Sequence, residues 1–376
     1  MRYLNQRKLE GISFLVIFLG IFTFLGSKMG ANNLLGSIMN TAHDLLLNTV
    51  FYIMAITVLS SALGQLMIEF GVVRLLEGLL APLMRPIFNL PGVASLGALM
   101  TFFSDNPAII SLAKDKNFNA YFKKHELISL TNFGTSFGMG LIVISFMIGK
   151  GFFAAAMIGF AGAIIGSITS TRMMQAMIKN EFHNIPREVP DDLEENVSFK
   201  SKGNLSMRFL NATLDGGKAG VDLGLAVIPG VLIISTAVMI LTLGSKDPSG
   251  VYSGVAYEGV PVIPYLANKV GWFFQYLFGF EQAEAIAFPI TALGSVGGAL
   301  SLVPTFIETG IAKGNEIAVF TAMGMCWSGY LSTHTAMLDT LGYRRLTNKA
   351  LLSHTVGGLM AGVVAHYGFT LFQYFA

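Results

Sequence analysis

Charge is scarce in this chain, and cysteine is nearly absent. Of the 376 residues only 12% are Asp, Glu, Lys or Arg, too few to solvate the surface of a soluble protein this long. The single cysteine, Cys326, excludes an internal disulfide framework and any cysteine-rich metal site. It lies in an apolar run and reads as a small packing residue. Catalytic signatures are missing too: there is no P-loop, no HExxH and no nucleophile elbow, and Gly-rich stretches such as Gly294 to Gly298 lack the strand a dinucleotide fold requires. These absences argue against an enzyme. A formal net charge of only +2 argues neither for nucleic acid nor for an acidic partner, and no nucleic acid is expected.

What the chain has in abundance is apolar sequence. Hydrophobic residues make up 53% and mean hydropathy is +0.62, so the reading is an all-α, multi-pass membrane protein. Apolar runs long enough to span fall at about residues 11 to 28, 45 to 69, 127 to 149, 151 to 172, 219 to 243, 316 to 336 and 351 to 375. That predicts about seven transmembrane helices, the first an uncleaved span, because no small-residue cleavage site follows it. Two further apolar stretches are too short to cross. The first, about 92 to 113, breaks at Ser104-Asp105-Asn106-Pro107; the second, about 283 to 306, is Gly-rich at Gly294-Ser295-Val296-Gly297. We read both as re-entrant helical hairpins, whose polar tips are tolerated at membrane depth only where protein or a wet cavity covers them.

The same order of elements occurs twice. Shifted by 190 residues, Phe88 falls on Phe278, Lys123 on Lys313, Glu126 on Glu316, Thr131 on Thr321 and Gly134 on Gly324, and the two hairpin tips coincide. Upstream the offset shrinks, which an insertion near Gly244 to Glu258 explains. With the N-terminus in the cytoplasm, 19 of the 24 lysines and arginines lie inside, the bias that sets orientation. Three spans separate equivalent points, so the repeats have inverted topology. The expected organisation is residues 1–40 as a first helix and outside loop, 41–174 as one repeat, 175–209 as a cytoplasmic linker with an acidic run, and 210–376 as the second repeat.

Asp105 is the sharpest site candidate, since a carboxylate at membrane depth is expensive and by default functional; it could equally cap the helix that Pro107 starts. Ser104 and Asn106 flank it. Thr131, Asn132, Thr135 and Ser136 place four oxygen-bearing side chains on a span that can unwind at Gly134 and Gly138. Such oxygens suit a neutral polar solute or Na⁺, with a candidate Na⁺ position near Asn106, Asn132 and Thr135. In the second repeat Ser295 faces, by analogy, Ser328, Ser332, Thr333 and His334, and His334 could carry a coupling proton. Helix packing by the same side chains is the competing reading. Glu126 and Glu316 each begin a span, where a carboxylate favours the helix N-terminus for reasons unrelated to transport.

These stretches resemble the nucleoside-recognition or Gate family. The resemblance is carried by "SDNPAIISLA" with "LTNFGTSFGMGLIVIS", by "LDGGKAGVDLGLAVIPGVLIISTAVMILT", and by "LGSVGGALSLVP" with "FTAMGMCWSGYLSTHTAML". That family includes spore maturation proteins A and B, here as if fused in one chain, and the gate modules of ferrous-iron transporters. More distantly the chain is similar to the transport core of concentrative nucleoside transporters. The resemblance implies two inverted Gate repeats in the inner membrane, with room for a homo-oligomer, binding a small-molecule solute and a coupling Na⁺ or H⁺ at the midplane and needing no other cofactor. The Ser-Asp-Asn-Pro-Ala tip departs from the Gln-Thr-Glu-Ala-Pro-like tip of nucleoside carriers, and a lone cysteine disfavours iron. The expectation is a secondary active transporter; the alternative is a non-transporting membrane factor of spore-maturation type acting through a protein partner.

Overall fold

A computed structural model describes residues 2–114, 116–182 and 203–376, and every regular element among them is helical. The acidic run expected in the linker, 191–195, lies outside the described residues. Helix α1 (Arg2–Met29) turns at Gly30 into α2 (Ala31–Asp44), which runs through a π-helical turn into α3 (Phe51–Glu69). Then come α4 (Val72–Leu83) and two short helices that fold back on each other, α5 (Ala94–Phe103) and α6 (Pro107–Leu112). A single turn, α7 (Lys116–Asn119), leads to α8 (Lys124–Thr135), α9 (Gly140–Gly149) and the long α10 (Phe153–Ile178).

The second half has the same succession. It comprises α11 (Leu205–Ala226), a π-helical turn, α12 (Thr236–Thr242), α13 (Val262–Asn268) and α14 (Gly271–Phe278). Next are the paired short helices α15 (Ala287–Gly294) and α16 (Val296–Glu308), then α17 (Gly314–Cys326), α18 (Tyr330–Thr340) and the closing α19 (Thr347–Phe375). Backbone landmarks recur at the offset of 190 residues. Asn89 (φ 54°) and Gly279 (φ 68°) are both left-handed at a helix end, and Met139 (φ 54°) and Gly329 (φ 67°) both open a helix in that conformation. Glu126 and Glu316 each accept the backbone N–H three residues earlier, at 2.9 Å in both cases, closing one orphan donor of a helix start.

Six helical stretches among the described residues are long and apolar enough to cross a membrane: Gln6–Met29, Ala31–Glu69, Lys124–Gly149, Phe153–Glu181, Leu205–Thr242 and Arg344–Phe375. The expected span at 316 to 336 is instead two shorter helices, α17 and α18, parted at Trp327–Gly329. Two other spans start earlier than hydropathy suggests. Helix α2 hides behind its asparagines, which are consumed by the loop after α12: Asn33 Nδ2 donates to Tyr252 O and Asn40 Nδ2 to Gly254 O, each at 2.8 Å. Helix α11 begins at Leu205 because Asn204 Oδ1 accepts from Met207 N at 2.9 Å, a side-chain cap that hydropathy cannot register.

Small residues bring the long helices together, as packing in lipid requires. A Cβ on Gly166 would come within 2.6 Å of Gly357 O, and one on Gly220 within 2.5 Å of Thr57 O, so α10 lies on α19 and α11 on α3 backbone to backbone. The paired helices α15 and α16 sit in the larger aromatic core, where Phe288 stacks on Phe320 with centroids 4.2 Å apart. A second core forms around Phe88, Phe133 and Phe137 beside α5 and α6.

Candidate functional site

Two tips and two helix breaks meet at one place. Helix α5 stops at Ser104, whose hydroxyl donates back to Met100 O at 2.7 Å, and Pro107 sits in the first turn of α6, where its missing N–H costs nothing. At the other tip Ser295 is extended between α15 and α16, and its Oγ accepts from Gly298 N at 3.1 Å. Ser235, the last residue of the π-helical turn after α11, donates to Gly298 O at 3.0 Å and fixes that tip.

Asn106 connects the halves. Its Nδ2 donates to Ser328 O (3.1 Å) and Ser328 Oγ (3.3 Å) at the break between α17 and α18. Gly138 and Gly329, one in each break, leave the room it occupies; a Cβ on Gly329 would lie 2.6 Å from Asn106 Nδ2. The left-handed φ at Met139 and Gly329 turns the chain from one helix into the next at those points.

Around this junction lies a cavity of about 370 Å³. Asp105 and Asn106 form one part of its wall and Gly294, Ser295 and Gly297 another; Met139, Ser328, Gly329, Ser332 and Thr333 come from the broken spans, and Leu223, Ala226 and Val227 from α11 and its end. Asp105 Oδ1 and Asn106 Oδ1 are shut off from the surface without a hydrogen-bond partner in the protein. Groups in that state mark a place where a ligand atom would be satisfied.

Of the twelve residues singled out in the sequence, Asp105, Asn106, Ser295, Ser328, Ser332 and Thr333 line this cavity. The other six lie outside its wall. Thr135 and Ser136 donate to the carbonyls of Thr131 and Asn132 one turn back, at 2.6 and 2.9 Å, and Ser104 does likewise within α5. Thr131 is fully buried in α8, and its hydroxyl has no hydrogen-bond partner among the described residues. Asn132 reaches the other way: its Nδ2 lies 2.9 Å from Ser170 Oγ, Ala350 O and Ser353 Oγ, tying α8 to α10 and α19. Of the three residues named for Na⁺, only Asn106 is in the cavity wall. His334 is buried; its Nδ1 donates to Tyr330 O at 2.6 Å and its ring lies 4.5 Å from that of His354. His354, which the sequence did not single out, bonds Ser170 Oγ through Nδ1 at 3.0 Å and Cys326 O through Nε2.

The sequence reading also missed Met139 and the α11 wall. Nothing in a methionine signals a left-handed φ. The α11 residues had a signal, since they lie in one of the stretches that carried the family resemblance. Among the described residues no group of three or more His, Cys, Asp or Glu is placed to hold a metal ion.

Comparison with known proteins bears on this arrangement. Solved structures of the concentrative nucleoside transporter CNTnw are similar over nearly the whole chain. A variant in an outward-facing state superposes with a TM-score of 0.56 at 14% identity, covering 98% of this chain and 87% of that one. An inward-facing, substrate-bound state gives 0.54 at 14%, covering 98% and 86%. The chain therefore has the fold of these membrane transporters. Among curated proteins, an uncharacterized protein of Alkalihalophilus pseudofirmus is 24% identical over 287 residues, 72% of this chain and 57% of its own length. The sporulation integral membrane protein YlbJ of Bacillus subtilis is 36% identical over 88 residues, 22% of each chain. The chain thus spans little more than half of one relative and about a fifth of the other. No protein-family model matches.

Proposed function

We propose that this protein is a secondary active transporter of a small polar solute across the bacterial inner membrane, coupled to Na⁺ or H⁺. One observation carries the reading: both short-helix tips and both helix breaks contribute to a single cavity of about 370 Å³, within the range of small-molecule sites. Discontinuous helices with unpaired polar groups around a central cavity are how carriers hold solute and ion, and CNTnw-like folds support the assignment. In this reading the α5–α6 and α15–α16 pairs are re-entrant hairpins of two inverted Gate repeats, residues 41–174 and 210–376, joined by a cytoplasmic linker, with the N-terminus in the cytoplasm. The lysine and arginine bias supports that orientation. Asp105 and the Asn106 carbonyl oxygen supply the acceptors for a coupling ion, Na⁺ fitting their oxygen chemistry.

The experiment is a thermal-shift screen of nucleosides, amino acids, organic anions and cations on purified protein, with and without Na⁺, followed by uptake into proteoliposomes. A solute that raises the melting temperature in wild type and not in Asp105→Asn is expected. Similarity to YlbJ favours a second reading, a sporulation-type membrane factor acting through a protein partner. Deleting residues 185–200 separates the two: transport survives the deletion in the first reading, whereas partner-dependent function is lost with it in the second.

A further inference from the structure

We infer that α11 carries the access path to the cavity, and that path and cavity together select a positively charged solute; the inference rests on the carrier reading above. Helix α11 has three faces. Gly216, Gly220 and Gly224 are buried against α3. Leu214, Val221 and Leu225 form an exposed apolar face, 61%, 39% and 50% accessible, suited to hydrocarbon. On the third face Asp215, Lys218 and Asp222 are exposed, in a helix otherwise apolar enough to cross the membrane. Carboxylates on a spanning helix face water or a partner, because turning them into lipid is costly.

The third face leads to the site. At 3.6 residues per turn, Asp215 and Asp222 fall in line with Ala226, which lines the cavity. Along the axis they stand about 16 and about 6 Å from it. Lys218 comes three residues after Asp215 and four before Asp222, so two carboxylates outweigh one ammonium along the stripe. Inside, among the described residues, Asp105 is the one acidic residue in the cavity wall and no Lys, Arg or His lines it. Asn106, 5% accessible, adds an unpartnered carbonyl oxygen. An anion would meet a carboxylate there and no cationic side chain to offset it among the described residues. A cation meets a negative stripe outside and oxygen acceptors within, and a low-dielectric wall concentrates that field.

The class is a small organic ammonium; sodium ion, the coupling ion of the reading above, serves as its comparison. The test is uptake of labelled ethanolamine, sodium ion, neutral uridine and anionic lactate into proteoliposomes bearing wild type, Asp222→Asn, Asp215→Asn, Lys218→Met and, as a lipid-face control, Leu214→Ala. Asp222→Asn is expected to slow ethanolamine uptake about tenfold at low ionic strength, and Lys218→Met to speed it. The difference should shrink to about twofold at half-molar salt, where the Debye length is a few ångströms. Sodium uptake without ethanolamine uptake overturns the inference and leaves the coupling reading standing, while uridine uptake and the Leu214→Ala variant are expected to stay unchanged. Equal loss of uridine and cation uptake in Asp222→Asn, or preferred uptake of lactate, overturns charge selection and leaves the carrier reading standing. If Asp222→Asn fails to fold, Asp215→Asn and Lys218→Met give the same comparison. Folded wild type that moves none of the four, and whose melting temperature none of them shifts, counts against the carrier reading itself and removes this inference with it.

Discussion

Asn106 holds the first tip to the second half of the chain, and two glycines make its position available. With Gly138→Ala the new methyl would overlap the Asn106 side chain, which Gly329 hems in from the other break. Overpacking of this kind typically costs about 1–3 kcal/mol. The expected outcome is a lower melting temperature together with loss of any solute-induced shift, since the tip is displaced. Asn132 behaves oppositely. Its amide serves Ser170, Ala350 and Ser353 and not the cavity. Asn132→Ala should therefore destabilise the fold, by about 1–3 kcal/mol for stranded buried partners, and leave solute affinity of the folded protein unchanged. Calorimetric melting and titration with the solute found in the screen check the two halves of that statement. Both residues are asparagines in an apolar context, and both were equally good site candidates in the sequence; which neighbours they meet separates them.

At the scale of elements, the loop between α12 and α13 acts as a clasp on α2. Tyr257, left-handed at φ 64°, donates its N–H to Thr41 Oγ1 at 2.8 Å and its hydroxyl to Asp44 at 2.5 Å. Glu258 shapes the loop: its carboxylate accepts from Ser253 N and Gly254 N at 2.9 and 2.8 Å. Burial pushes the Glu258 carboxyl up, but these backbone donors outweigh it and hold the group below its ordinary value. A depressed folded value means the contribution is complete above the unfolded pKa and fades as pH falls through the folded one. Exchange of the Ser253 and Gly254 amides, corrected for intrinsic rates, should be slow at neutral pH and accelerate once the pH falls below the ordinary glutamate range. Glu258→Gln should show the faster exchange already at pH 7. The sequence marked this segment only as an insertion disturbing the repeat, because its partners on α2 lie more than 200 residues earlier.

For the molecule as a whole, the lone cysteine offers a clean probe of access. Cys326 is fully buried, so wild type should resist a membrane-impermeant maleimide until unfolded. Ser332 lines the cavity and is exposed. Ser332→Cys should label in proteoliposomes, and a bound solute should protect it. Labelling confined to one side of the membrane and reversed by an opposing ion gradient is the result alternating access requires. Labelling equal from both sides in every condition would contradict a carrier.

The amino-acid sequence by itself determined that the chain is helical and membrane-embedded, roughly where its long spans run, and where the two short pairs interrupt. Hydropathy, Pro107 and the Gly294–Gly297 tip act within a few residues of themselves, so their effect can be read locally. Only the tertiary structure decided that the span at 316 to 336 divides, that Met139 turns left-handed, and which hydroxyls close back onto their own helix. It also decided that Asp105, Asn106, Ser295, Ser328 and Thr333 share one cavity while Asn132 does not. The direction of a polar side chain depends on helix rotation against partners distant in sequence, as the bond from Asn106 to Ser328 illustrates. The same residue types serve packing and binding alike, and their order along the chain does not record which task each performs.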